Sequence, residues 1–279
     1  MKLHTRLLVA AIISLVALNA KADDPPSTTK AAPAASDAKL KVLFIAGGGY
    51  HDYKKLSPIL IEGIKKHANV DIKLVEVKDD LNVMRDKDLG KGYDAIIYDI
   101  CFAGERDKPI LPPQADKELI DNALRVIKEG KPTVMLHCSM HTFMASDDWT
   151  EACGERTRVH DTKEPFEVTK ADVNHPAVKH FPDTWKTPSD ELYQTINFPE
   201  TSTPLLKAKS PQKNQDGKVS VVCWVHTYGK GQVFSTTLGH DENTVDKDEY
   251  LRLVADGLLW ACGKLDADGN PKPGYGPAK

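Results

Sequence analysis

The spacing of apolar residues changes along the chain. Lys39 to Ala46 ("KLKVLFIA") is an almost unbroken apolar run, which predicts a strand buried on both faces. Three glycines follow, Gly47 to Gly49. Leu56, Ile59, Leu60 and Ile64 then recur at helical spacing within Leu56 to His67. Val70 to Val77 alternates as a second strand, and Tyr93 to Ile100 ("YDAIIYDI") reads as a third. Asp116 to Glu129 carries Leu119, Ala123, Leu124 and Ile127 on one helical face and stops at Gly130. Thr133 to Leu136 is the fourth strand. Strands alternating with helices predict an α/β fold, a parallel sheet with helices on both faces. The second half is less regular. Phe166 to Thr169 and Leu205 to Ala208 read as short strands. Val219 to Val225 and Gln232 to Thr237 form a hairpin around "TYGKG", and Asp248 to Trp260 is a closing amphipathic helix.

The ends of the chain have a different composition. Lys2, His4 and Arg6 precede an apolar run, Leu7 to Leu18, and Ala20-Lys21-Ala22 fits a cleavage site. Residues 1–22 are therefore expected to be a signal peptide that leaves no membrane anchor. The mature protein would be exported, to the periplasm or beyond. Asp23 to Ala38, rich in Pro, Ala, Ser and Thr, reads as a disordered linker. Residues 39–265 form one domain, and residues 266–279, ending "GNPKPGYGPAK", are expected to be a flexible tail. The formal net charge is -3 with both signs interspersed, which excludes the concentrated basic face that nucleic acid needs. Five cysteines without a C-x-x-C pair do not describe a disulfide scaffold or a zinc ribbon.

In an open parallel sheet, ligands bind beyond the carboxyl ends of the strands. That rule selects His51 and Asp52 after the first strand, and Asp99 and Cys101 at the third. It selects His137, Cys138, Ser139 and His141 after the fourth, and "LGHDE" (Leu238 to Glu242) after the last. Neutral imidazole is both an acid/base near neutral pH and a common metal ligand. His51, His137, His160 and His240 could accordingly hold a divalent metal such as zinc, although none has H-x-x-x-H spacing. Gly48 and Gly49 lack the spacing of a phosphate loop and fit a tight turn beside a ligand. Trp224 could stack on a sugar ring or pack in the core. Cys138 is a rival centre, with His240 and Glu242 as partners in a cysteine-hydrolase arrangement, but no glycines bracket it.

The segments "VLFIAGGGYHDY", "MLHCSMHTF", "NHPAV", "SDELY", "CWVHTYGKGQVFSTTLGHDE" and "GLLWACGK" together resemble the ThuA-like family, named for trehalose utilisation, over about Lys39 to Gly263. The resemblance implies a flavodoxin-like sheet similar to class I glutamine amidotransferases, generally without their catalytic cysteine. It places His137 at the nucleophile position, with His160, Asp190, Glu191, Gly239 and His240 at other family positions. This chain departs at Met135, where the family often has glycine, and in having Cys138. The resemblance also implies a carbohydrate substrate, a disaccharide or keto-sugar that is isomerised, epimerised or cleaved. The expected site is then His137, His240 and Glu191 as catalytic groups, with Gly48, Gly49, His51, Trp224 and Asp241 around the substrate. A non-catalytic carbohydrate-binding module and a Cys138-dependent hydrolase are the alternatives.

Overall fold

A computed structural model describes residues 39–278, apart from residues 79, 104–110, 173 and 216. The expected signal peptide and linker lie outside the described residues. The first half alternates as expected: β1 (Leu40–Gly48), α1 (Tyr53–His67), β2 (Val70–Val77), α2 (Asn82–Arg85), β3 (Ala95–Cys101), α3 (Lys117–Lys128) and β4 (Thr133–Leu136). A single 3-10 turn, His137–Met140, leads to α4 (Asp147–Cys153) and β5 (Arg156–His160). There follow β6 (Glu167–Lys170), β7 (Thr184–Lys186), β8 (Tyr193–Asn197), β9 (Thr203–Lys209), β10 (Val219–Tyr228), β11 (Gly231–Thr236), α5 (Glu242–Val245) and α6 (Asp248–Ala261).

Nine strands form one sheet in the order β2-β1-β3-β4-β11-β10-β9-β6-β7. The pairs from β2 to β11 are parallel, and β11-β10, β10-β9, β9-β6 and β6-β7 are antiparallel. Strands β5 and β8 make a separate antiparallel pair. The continuous apolar runs follow from burial on both faces. Val42, Phe44 and Ala46 of β1 pack toward α1 and α6, among Leu56, Leu60, Ile64 and Leu258. Leu43 and Ile45 pack toward α3 and α4, among Leu119, Ala123, Ile127 and Trp149. Helix α3 begins where Asp116 accepts the Leu119 N–H at 2.9 Å. Among the described residues no helix is long and apolar enough to cross a membrane.

The carboxyl-terminal segment corrects an expectation. It is not a loose tail. Leu265 is buried in the core and bridges to Pro271. Asp266 accepts the N–H groups of Asp268 and Asn270. Asn69, at the α1–β2 junction, donates its N–H to the Tyr275 carbonyl at 2.9 Å and its side-chain amide to the Gly274 carbonyl at 3.0 Å. The segment has few apolar residues, so composition reads as disorder, but backbone groups hold it in place.

Candidate active site

The chain turns from β1 to one neighbour, β2, and then to the other, β3, so the sheet's switch point lies between β1 and β3. The carboxyl ends of β1, β3, β4 and β11 meet there. Gly48 runs so close to β3 that a Cβ would lie 2.3 Å from the Cys101 carbonyl oxygen, and its φ is +102°. Only glycine fits such a turn. The turn swings Tyr50 and His51 back over the strand ends, and the Gly49 N–H is secured on the Cys101 carbonyl at 3.0 Å. These glycines therefore position the loop that carries His51 and form no phosphate cradle.

His137 is the first residue after β4 and has φ +42°, in the left-handed region. That conformation costs a non-glycine residue on the order of 1–3 kcal/mol and is retained only where the surroundings impose it. Here the ring Nδ1–H donates to the Thr237 carbonyl at 2.7 Å, across the β4–β11 pair. The elbow residue is thus His137 itself, and its Nε2 is left on the side of Tyr193, 3.4 Å from the hydroxyl. His51 is held in a similar way, its Nδ1–H donating to the His240 carbonyl at 3.1 Å.

Glu191 is the centre of the arrangement. Its Oε2 lies 3.2 Å from His240 Nδ1 and 3.7 Å from His137 Nε2, and its Oε1 lies 3.6 Å from His160 Nδ1. The adjacent Asp190 is fully buried and accepts the backbone N–H groups of Gly239, His240 and Glu191 at 2.8–3.1 Å. It thereby ties the segment before β8 to the His240 loop. Burial pushes Asp190 up to about 6, with those three N–H groups opposing. Burial would also raise Glu191, but His240 and His160 outweigh it and hold its carboxyl below the usual range. Burial would lower His240, but Glu191 outweighs it and raises the imidazole. Burial and then the charge of His240 press His51 down to about 4. Burial presses His137 well below its ordinary value.

His51, His160, Glu191 and His240 line a cavity of about 290 Å³ with Tyr50, Cys101, Ala103, Cys138, His141 and Tyr193, and His137 packs behind it, its ring centroid 4.8 Å from that of His51 and 4.9 Å from that of Tyr193. One nitrogen from each of His51, His137 and His240 lies within 4.8 Å of the other two. His240 Nδ1 is buried without a well-aligned hydrogen bond. Two of the three imidazoles also donate their other N–H to a backbone carbonyl, the support usual for metal-bound histidine. This donor set fits a divalent cation, held by His51, His137 and His240. His160, the fourth expected ligand, lies across Glu191, with its Nδ1–H donating to the Asp161 carbonyl at 2.9 Å.

Two expected site residues fall elsewhere. Trp224 is a correction: it is fully buried, and its indole N–H donates to the Cys153 carbonyl at 2.8 Å, so it is a core residue of β10 and not a sugar platform. Asp241 caps α5 and pairs with Lys163 beside the site. Tyr193 was missed by sequence reasoning. It stacks on His141 at 4.1 Å and lies 5.4 Å from His160. Its position two residues after Glu191, on the same side of an extended segment, was the available signal. Cys101 and Cys138 form a disulfide with Cα atoms 5.1 Å apart. In that state Cys138 has no thiolate to act as a nucleophile.

The sequence model of the ThuA family, described as trehalose utilisation, matches residues 41–261. The chain belongs to the ThuA family. No curated protein matches it in sequence. Among solved structures, a ThuA-like protein from Parabacteroides merdae superposes with a TM-score of 0.65 at 18% identity, over 86% of this chain and 98% of that one. A ThuA-like protein from Bacteroides uniformis gives 0.58 at 17% identity, over 83% and 94%. A β-galactosidase from Bacillus circulans sp. alkalophilus gives 0.54 at 12% identity, over 84% of this chain but only 32% of that enzyme. At these identities the likeness establishes the fold: a ThuA chain with a glutamine amidotransferase-like α/β architecture.

Proposed function

We propose that this ThuA protein is an exported enzyme that moves a proton on a small keto-sugar, in an isomerisation, epimerisation or cleavage. The observation that carries the reading is one half-buried carboxylate, Glu191, facing His137, His160 and His240 within 3.2–3.7 Å at the mouth of the strand ends. The family's description supports a sugar substrate. A volume of about 290 Å³ lies at the small end of ligand pockets, suited to one or two sugar rings and not to a polymer. The Cys101–Cys138 disulfide supports export, because disulfides persist mainly outside the reducing cytosol.

Each group has a defined part. Glu191 stays ionised and accepts a proton from the carbon beside the substrate carbonyl. The Tyr193 hydroxyl, 3.4 Å from His137 Nε2, donates a hydrogen bond toward the carbonyl oxygen as charge develops there. His160, whose Nδ1 lies 3.6 Å from Glu191 Oε1, helps to keep that carboxylate ionised. A divalent cation on His51, His137 and His240 would supply Lewis-acid polarisation of the same oxygen. Asp190 and the Thr237 carbonyl fix the orientation of these groups, so little reorganisation is needed during the reaction.

The test is a screen of 3-keto and 2-keto disaccharides, following solvent deuterium incorporation and product by NMR. Wild-type turnover should fall on the order of a hundred-fold or more in Glu191→Gln, with folding intact. His137→Asn and His240→Asn should each lose turnover, and the double variant should be far less than additive because both belong to one unit. Sugar binding without exchange or product in the wild type would favour a carbohydrate-binding module instead.

A further inference from the structure

The disulfide lies beside the three-histidine cluster, and the two share a residue. His51 and the sulfurs of Cys101 and Cys138 form a second group in which every candidate ligand atom lies within 4.8 Å of the others. The two cysteines end β3 and begin the turn after β4, so the sheet fixes their separation. The glycine turn brings His51 over both. Because His51 Nδ1–H is committed to the His240 carbonyl, its Nε2 is the nitrogen available to either group. The other cysteines among the described residues, Cys153, Cys223 and Cys262, are free thiols, and none belongs to such a cluster.

We propose that Cys101, Cys138 and His51 form a redox-controlled metal site, absent while the disulfide is closed and present once it is reduced. Reduction breaks the sulfur–sulfur bond. Two electrons come from an external dithiol, which closes to its own disulfide, and its two protons give the two thiols. A divalent cation then displaces both protons to water and binds two thiolates and one imidazole. That donor set favours zinc and other soft or borderline ions over magnesium or calcium. His51 cannot serve both clusters at once. Reduction would therefore draw a cation from the three-histidine position toward the sulfurs, and oxidation would return His51 to its histidine partners. The proposal shares only His51 with the reading of the active site.

Cobalt(II) distinguishes the two sites without any sugar substrate, since thiolate ligands add an intense near-ultraviolet charge-transfer band. Purified protein is prepared oxidised, and in parallel reduced with dithiothreitol, desalted without oxygen, and counted for thiols by alkylation after denaturation. The count should rise from three to five. One equivalent of cobalt should give the band in reduced wild type. The band should be missing in oxidised wild type and in reduced Cys101→Ser and Cys138→Ser. It should persist in reduced His137→Asn/His240→Asn, which lacks the three-histidine set, so failure of the active-site reading leaves this result intact. The proposal is overturned if five thiols are counted and no band forms. It is overturned equally if the band survives in Cys101→Ser/Cys138→Ser, or if the pair resists reduction in the folded protein.

Discussion

Loading the three-histidine cluster with zinc should raise the melting temperature of the oxidised protein by an amount that can be worked out. A ligand that binds only the folded state at a hundred times its dissociation constant stabilises by about 2.7 kcal/mol. The described fold spans roughly 240 residues, and unfolding entropy of about 2.1 cal/mol/K per residue gives roughly 0.5 kcal/mol/K. The expected rise is therefore about 5 °C. Two of the three ligands are ready near pH 7, while Glu191 favours a proton on His240 that the cation must displace. His51 and His137 are held neutral by burial, and their Nδ1 protons are already committed to backbone carbonyls, so the rings need not turn. Differential scanning calorimetry of chelator-treated protein, with zinc added stepwise, measures the shift. His51→Asn, His137→Asn and His240→Asn should each abolish most of it, whereas His175→Asn, whose ring caps a short turn by accepting the Ala177 N–H and packs on Trp260 away from the cluster, should leave it unchanged. No shift in wild type at millimolar zinc, or an equal shift in His137→Asn/His240→Asn, would refute the cluster as a cation site.

Other outcomes follow from individual side chains. Trp224→Phe should destabilise by about 1 kcal/mol in urea titrations, because the Cys153 carbonyl loses one of its two donors and keeps the Ser235 hydroxyl, while sugar affinity stays unchanged. Glu155 is buried, and burial lifts it from 4.5 to about 8 against the opposing contact with Thr195. The fold therefore prefers its protonated form: the associated stability is complete below about pH 4.5 and is lost as pH rises through about 8. Glu155→Gln should remove that loss, gaining on wild type by up to about 1.4 kcal/mol per pH unit across this window, as read from urea midpoints at several pH values. Glu191→Gln should change the melting temperature by only a few degrees while removing the proton-transfer activity, and a large loss of stability would instead make Glu191 a structural residue.

Local pattern determined much of this molecule. The β1 run, the α3 periodicity and the β10–β11 hairpin were all legible, because burial on both faces of a parallel sheet and one face of a helix imposes characteristic periods. The strand-end rule was enough to select His51, His137 and His240, residue chemistry added His160, and the family motifs added Glu191. Tertiary structure alone decided what these residues do to one another. That Glu191 faces three imidazoles depends on Asp190 clasping the β11–α5 loop across 49 and 50 residues of sequence. Trp224 lies in a stretch that reads equally well as core or platform, and only the packing of α4 against β10 buries it. Cys101 and Cys138 are separated by 37 positions, with nothing in their spacing to pair them; β3 and β4 lie side by side, and that adjacency joins the sulfurs beneath His51. The tail lacks a periodic pattern because a few separate contacts, the Asp266 carboxylate, buried Leu265 and the bonds from Asn69 to the Gly274 and Tyr275 carbonyls, hold it. Periodicity reports which face of an element is buried, whereas contacts between distant elements arise only when the whole sheet is assembled.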